Sequence, residues 1–155
     1  MCREKTCCFT GHRELGYDFD VSALRSAIAD LIERGVTTFI TGGALGFDTV
    51  AASEVIAFKK KGCQIQLHIY APCNNQSERW SFKDKQTYKV ILKDVDFVSV
   101  PNTPYYDGCM RARNYKMVDA SAYCIAYYNR ARTGTGQTVR YAESKGLEVI
   151  NISNG

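Results

Sequence analysis

At 155 residues the chain is long enough for one well-buried domain and short for two, and its 45% hydrophobic and 23% charged residues exclude a disordered or collagen-like polymer. No uncharged run approaches the roughly 20 apolar residues that a bilayer span requires, so no membrane contact is expected. The net charge of +4 is modest and spread along the chain apart from Lys59-Lys60-Lys61, which gives polyanion binding little support.

Taken in chain order, Thr6 to Thr10 is a short β-rich run that delivers Gly11, His12 and Arg13 at its carboxyl end. Val21 to Arg34 carries Leu24, Ile28, Leu31 and Ile32 at helical spacing and stops at Gly35. Val36 to Thr41 reads as the second strand, and Phe47 to Lys61 as the second helix, closed by Gly62. Gln64 to Tyr70 is the third strand, followed by the loop Ala71 to Gln76 and a helix over Trp80 to Lys93. Val95 to Val100 is the fourth strand, Pro101 to Gly108 a turn-rich loop with Tyr105 and Tyr106, and Cys109 to Ser121 a helix. Ala122 to Tyr128 is apolar without alternation, which predicts a strand buried on both faces. Arg132 to Thr138 is a glycine turn leading into a helix over Val139 to Lys145, and Leu147 to Ile152 is the last strand.

Strand and helix thus alternate about six times with short connections and no internal repeat, so residues 1–155 are expected to form one α/β domain with a mostly parallel sheet covered on both faces. The first residues, MCREKTCCFTGHR, place charges where a signal peptide needs an apolar core, and a cytoplasmic location is expected. The seven cysteines are odd in number and none lies in a C-x-x-C pair, so neither a disulfide framework nor a metal site is expected. Cys7, Cys8 and Cys124 fall inside predicted strands and read as small core residues. Cys73 and Cys109 fall beyond a strand and at a helix start, where a thiol can face a ligand.

The chemistry concentrates in the stretch Thr41-Gly42-Gly43-Ala44-Leu45-Gly46-Phe47-Asp48, a strand, a glycine turn and a helix N-terminus in succession. Glycines there let an anion approach backbone N–H groups, and the helix adds the positive end of its dipole. The other reading is that the glycines only turn the chain, because the pattern is neither G-x-G-x-x-G nor G-x-x-x-x-G-K-[ST]. Gly11-His12-Arg13 and Gly134-Thr135-Gly136 also fall at strand carboxyl ends, and alternation puts all three on one edge of the sheet. That edge, at the switch in strand order, is where such sheets hold ligands.

Together TCCFTGHR, TGGALGFD, YAPCNNQSERW, YYDGCMRARNYKMVDASAYCIAYY and GTGQTVRYAESKGLEVINI resemble the YpsA-like branch of the SLOG superfamily, in order and over almost the whole chain. The resemblance implies a Rossmann-like three-layer sandwich with a glycine-lined pocket for a nucleotide or nucleotide derivative, and self-association into a homo-oligomer. Carried over by position, the pocket comprises Gly11, His12, Arg13, Gly42, Gly43, Gly46, Asp48, Arg113, Asn114, Gly134, Thr135, Gly136 and Thr138. Arg113 is expected to pair with a phosphate in bidentate fashion, and its truncation to leave stability nearly unchanged. Asn114 is expected to read a ribose or base edge, and Thr135 and Thr138 to donate hydroxyls. Asp48 reads equally as a helix cap, and His12 and Arg13 as solvated loop residues.

SLOG proteins are related to the LOG-type phosphoribohydrolases and to the DNA-processing protein of bacterial transformation. In the hydrolases a catalytic Glu stands three residues after the Thr of the last turn; here that offset holds Tyr141, with Glu143 on another helical face, so catalytic residues are unassigned. Asp48, Glu54 or Asp107 can substitute only where the fold brings one to the rim. The DNA-processing resemblance makes single-stranded DNA the second expected partner, with Trp80, Tyr105 and Tyr106 as base-stacking or as core and interface residues.

Overall fold

The computed structural model describes residues 2–129 and 134–153. A single 3₁₀ turn, Arg3–Lys5, precedes β1 (Thr6–Gly11), α1 (Val21–Glu33), β2 (Thr38–Thr41), α2 (Phe47–Lys60), β3 (Gln66–Tyr70) and α3 (Phe82–Leu92). Then come β4 (Phe97–Ser99), α4 (Cys109–Asp119), β5 (Tyr123–Tyr127), α5 (Gly134–Ser144) and β6 (Glu148–Asn151). The six strands form one sheet in the order β4-β3-β2-β1-β5-β6, and all five pairings are parallel. The predicted α/β class and strand order of appearance therefore hold, with parallel pairing throughout.

The core lies on both faces of that sheet because the central strands present apolar side chains on both sides. Cys7 and Phe9 of β1, Phe39 of β2, Leu67 and Ile69 of β3 and Ile125 and Tyr127 of β5 pack against α1 and α2. Cys8, Ile40 and Cys124 face the other way, against Met117 and Val118 of α4 and Ala142 of α5. The expected core role of Cys7, Cys8 and Cys124 follows: all three are buried, and desolvation raises the Cys7 thiol. Hydrogen bonding with Cys8, then burial, raises the Cys124 thiol.

Two element assignments are corrected. The helix predicted from Trp80 begins at Phe82, because the Ser81 hydroxyl accepts from the Asp84 N–H at 3.1 Å and caps the helix there, leaving Trp80 in the preceding loop. Gly134, Thr135 and Gly136 are the first turn of α5, five residues ahead of the predicted helix start. Gly136 is needed for close approach: a Cβ there would come 2.9 Å from the Tyr128 ring. Arg132 and Thr133 of the predicted turn lie outside the described residues.

Strand order reverses between β1 and β5. From β1 the chain walks outward through β2, β3 and β4, then returns to lay β5 on the other side of β1. The carboxyl ends of β1 and β5 diverge into their loops at this point, which opens a crevice at the rim.

Candidate functional site

The crevice is a cleft of about 320 Å³ lined from the end of β1 (Phe9 to Arg13), the β2–α2 turn (Ala44, Asp48), α4 (Met110, Arg113, Asn114) and the start of α5 (Gly134, Thr135). Eight predicted residues meet there: Gly11, His12, Arg13, Asp48, Arg113, Asn114, Gly134 and Thr135. Gly42, Gly43, Gly46, Gly136 and Thr138 stand behind the wall, outside the lining. Phe9, Thr10, Ala44 and Met110 were missed by the sequence reading; Met110 was findable, since it stands three residues before Arg113 and shares its helix face.

The glycine turn after β2 spends its polar groups on the fold. The Gly43 N–H donates to Thr41 Oγ1 at 3.1 Å, the Ala44 N–H to Asp48 Oδ2 at 3.2 Å, and the Phe47 N–H to the His12 carbonyl at 3.2 Å. These three amides of the turn are thus taken by protein oxygens. Each glycine makes room for a neighbour instead. A Cβ on Gly42 would strike the Arg113 guanidinium, one on Gly43 would sit 2.9 Å from Ile69 Cγ2, and one on Gly46 would strike the Arg13 backbone carbonyl. Gly46 also has φ +80°, which β-carbon sterics oppose. The loop carrying His12 and Arg13 can therefore lie directly on the N-terminus of α2.

Arg113 is 6% exposed. Its Nη1 donates to the carbonyls of Gly42 at 2.6 Å and Tyr70 at 3.1 Å, and its Nε to Asn114 Oδ1 at 2.8 Å. One guanidinium thus ties the carboxyl ends of β2 and β3 to α4, and the bidentate fork expected for phosphate is used internally. Among the described residues Nη2 reaches only Met110 Sδ, at 3.9 Å. This burial argues against the expectation that its truncation spares stability. Asp48, on the other side of Gly42, has its carboxyl raised by burial, an effect opposed by the Arg113 charge and by the Ala44 and Gly42 N–H groups. Burial likewise lowers Arg113, and Asp48 opposes that shift.

Other polar groups also line the cleft. His12 Nε2 accepts from the Asn129 N–H at 3.2 Å, and the ring packs edge-on against Tyr127, 5.6 Å between centroids. Arg13 is exposed and makes no hydrogen bond or ion pair among the described residues. Asn114 gives its oxygen to Arg113 and keeps its amide N–H₂. Gly134 and Thr135 bring the first turn of α5, the positive end of its dipole, to the cleft. The Thr138 hydroxyl is turned back onto the Gly134 carbonyl at 2.9 Å.

For acid–base chemistry, Asp48 is the one carboxylate lining the cleft. Tyr141, at the offset of the hydrolase Glu, donates to Asp119 at 2.8 Å and stacks on Tyr115 at 3.8 Å, away from the cleft. Glu54 pairs with Arg25, and Asp107 lines an adjoining hollow of about 310 Å³. Of the two thiols expected near a ligand, both are buried: Cys109 at 1% exposure, and Cys73 at 2% in the wall of a second cleft. No group of three or more His, Cys, Asp or Glu side chains suited to a metal occurs among the described residues. Among the same residues no helix is long and apolar enough to cross a membrane.

With this geometry in place, comparison with known proteins is informative. A UPF0398 protein of Halalkalibacterium halodurans is 31% identical over 126 residues, covering 80% of this chain and 67% of the relative. The SPbeta prophage-derived protein YoqJ of Bacillus subtilis is 31% identical over 137 residues, covering 77% and 80%. A structure describing the single-stranded DNA binding mode of DNA processing protein A from Helicobacter pylori superposes with a TM-score of 0.65 over 93% of this chain, at 16% identity. At that identity the likeness shows a shared fold, and this chain spans only 63% of that protein. The YpsA family model, described as the YspA SLOG family, matches residues 7–149, from β1 into β6. The chain belongs to the YspA SLOG family.

Proposed function

We propose that the chain binds a nucleotide or nucleotide-derived ligand in the β1/β5 cleft and acts as a sensor or regulatory protein of the cytoplasm. The observation that carries this reading is the convergence, at the point where strand order reverses, of a guanidinium (Arg13) and an amide N–H₂ (Asn114) without partners among the described residues and of a helix N-terminus (Gly134, Thr135). The phosphate lies between Arg13 and the first turn of α5, and Asn114 meets the ribose or base edge. His12, Gly11, Asp48 and Arg113 shape the wall, while Gly42, Gly43, Gly46, Gly136 and Thr138 set its backbone.

Thermal melting of the purified protein against adenosine, guanosine, cytidine and uridine monophosphates, ADP-ribose and a short single-stranded DNA tests this. A ligand at 100 times its Kd adds about 2.7 kcal/mol of stability, a rise of roughly 5–10 °C in a domain of this size. Arg13→Ala should remove the shift while leaving the unliganded melting temperature in place. No shift with any of these compounds refutes the reading.

One observation favours single-stranded DNA as a second reading. The main cleft, the second cleft and the hollow beside Asp107 share Met110 and form a track along the rim with exposed Arg13, Arg79 and Arg111. The structural neighbour described above binds single-stranded DNA. Three neutralised phosphates give a salt slope of roughly −2 in log K against log salt concentration, and a flat response rejects this reading. Hydrolysis with Asp48 as the assisting carboxylate is the remaining alternative, detected as free base released from a nucleoside monophosphate. Self-association belongs to the proposal too, supported by exposed Phe97 and Val98 on the edge strand β4 and Val100 just beyond it, and light scattering tests it.

A further inference from the structure

Beside the β1/β5 cleft lies a larger one of about 490 Å³, walled by the β3–α3 loop and the β4–α4 loop. The two share Arg13 and Met110. We propose that this second cleft is a stacking subsite for a planar nucleobase, and that the ligand of this protein carries two nucleoside units joined through phosphate at Arg13. The proposal rests on the reading that the first cleft holds a nucleotide.

The wall is built rather than incidental. The Ala71 N–H donates to the Ser99 carbonyl at 2.9 Å, the Asn74 N–H to the Thr103 carbonyl at 2.8 Å, and the Tyr105 N–H to Asn75 Oδ1 at 2.9 Å. These bonds lace the two loops together across the end of the sheet. Asn75 Nδ2 then donates to Glu78 Oε2 at 3.0 Å, which fixes the carboxylate at the mouth. Trp80 is held edge-on against Tyr88, 5.4 Å between centroids and 76° between planes, so one part of its surface is packed and the rest is available. Tyr105 is 62% exposed.

The chemistry of the lining suits a flat aromatic group. Trp80 and Tyr105 offer π faces, and Arg79 and Arg13, both without hydrogen-bond or ion-pair partners among the described residues, offer planar guanidinium groups that stack as well as neutralise. The Glu78 carboxylate opposes a phosphate here and accepts hydrogen bonds from an exocyclic amine of a base. Arg13 and the first turn of α5 lie on the shared border and in the first cleft, while in the second cleft the Arg79 charge is offset by that of Glu78. Each cleft is in the range that encloses a small ligand, roughly 300–1,000 Å³. A phosphate bridge at Arg13 therefore leaves one nucleoside on either side.

Trp80 is the only tryptophan in the chain, so its emission reports this cleft alone. Three probes separate the possibilities: deoxyadenosine monophosphate, a phosphorylated deoxyadenosine dinucleotide joined by a phosphodiester, and a diadenosine joined by a pyrophosphate. The expected result is that at least one two-base probe binds roughly 5- to 150-fold more tightly than the monophosphate and quenches Trp80. The tighter of the two names the linkage, nucleic-acid fragment or pyrophosphate-bridged dinucleotide. Tyr105→Ala, at an exposed position that should not disturb folding, is expected to erase that advantage while leaving monophosphate affinity unchanged; Trp80→Leu should do the same. Equal affinity for one and two bases with unchanged Trp80 emission overturns the subsite and leaves the first cleft standing. Absence of binding by every probe overturns the first cleft, and this subsite with it.

Discussion

Replacing Arg113 by Ala tests whether this residue is a ligand contact or a clamp. The truncation strips the donor from the Gly42 and Tyr70 carbonyls and from Asn114 Oδ1, and it removes the cation that opposes the desolvation of buried Asp48. An unpaired buried acceptor costs about 1–3 kcal/mol, and breaking a buried charge arrangement from one side about 3–5 kcal/mol; these overlap, so a loss of about 3–5 kcal/mol is expected. That is a large share of the roughly 5–15 kcal/mol by which domains are stable.

The assay is guanidinium denaturation across pH, with Asp48→Asn and the double variant completing a cycle. Asp48 has a folded pKa above its unfolded one, so its favourable contribution is present below the ordinary carboxylate value and is lost as pH rises through the folded value. Without Arg113 the folded value climbs further and the loss extends to higher pH. The Arg113→Ala penalty should therefore be larger at pH 7 than at pH 4, and the double variant should recover about 1–3 kcal/mol relative to additivity. A penalty below about 0.5 kcal/mol, or one independent of pH, would refute the clamp.

Gly46→Ala forces a Cβ into the Arg13 carbonyl at φ +80°, and it should cost at least about 1–3 kcal/mol and raise protease sensitivity between His12 and Gly16. Unchanged stability and cleavage would contradict the close approach of that loop to α2. Tyr127→Phe removes a hydroxyl that accepts from the Gly16 N–H at 3.0 Å and donates to Asp18 at 2.7 Å, so the melting temperature should fall by roughly 2–4 °C and amide exchange at Gly16 should quicken. A protected Gly16 amide in the variant would show that another group anchors the loop. Burial holds His68 below the ordinary histidine value, and its Nδ1 is buried without a partner among the described residues. The neutral ring favours folding above the ordinary value of about 6.5, and that contribution falls away as pH drops below it; His68→Leu should flatten this part of the stability profile, and an unaltered slope would exclude His68.

Much of this molecule is determined by local sequence. The alternation of β-branched runs with segments of helical spacing sets an α/β sheet, because parallel neighbours require crossovers, and β5 shows its two-faced burial in the lack of polar alternation from Ala122 to Tyr128. The same alternation puts Gly11-His12-Arg13, the β2–α2 turn and Gly134-Thr135 at one sheet edge, so the rim was legible before the structure. What local sequence does not determine is which polar groups remain for a ligand. Gly42, Gly43 and Gly46 have the placement of an anion turn, between a strand and a helix N-terminus, but their neighbourhood is filled by Arg113, Ile69 and Arg13, which arrive from distant segments. Arg113 resembles a surface phosphate fork on a helix, and only tertiary packing sets its guanidinium on two strand-end carbonyls. Trp80 was assigned to a helix by periodicity, and the Ser81 cap moved it into a loop and into the second cleft. Side-chain spacing is a property of one segment, whereas the occupancy of a donor or acceptor depends on what the fold brings within 3 Å of it.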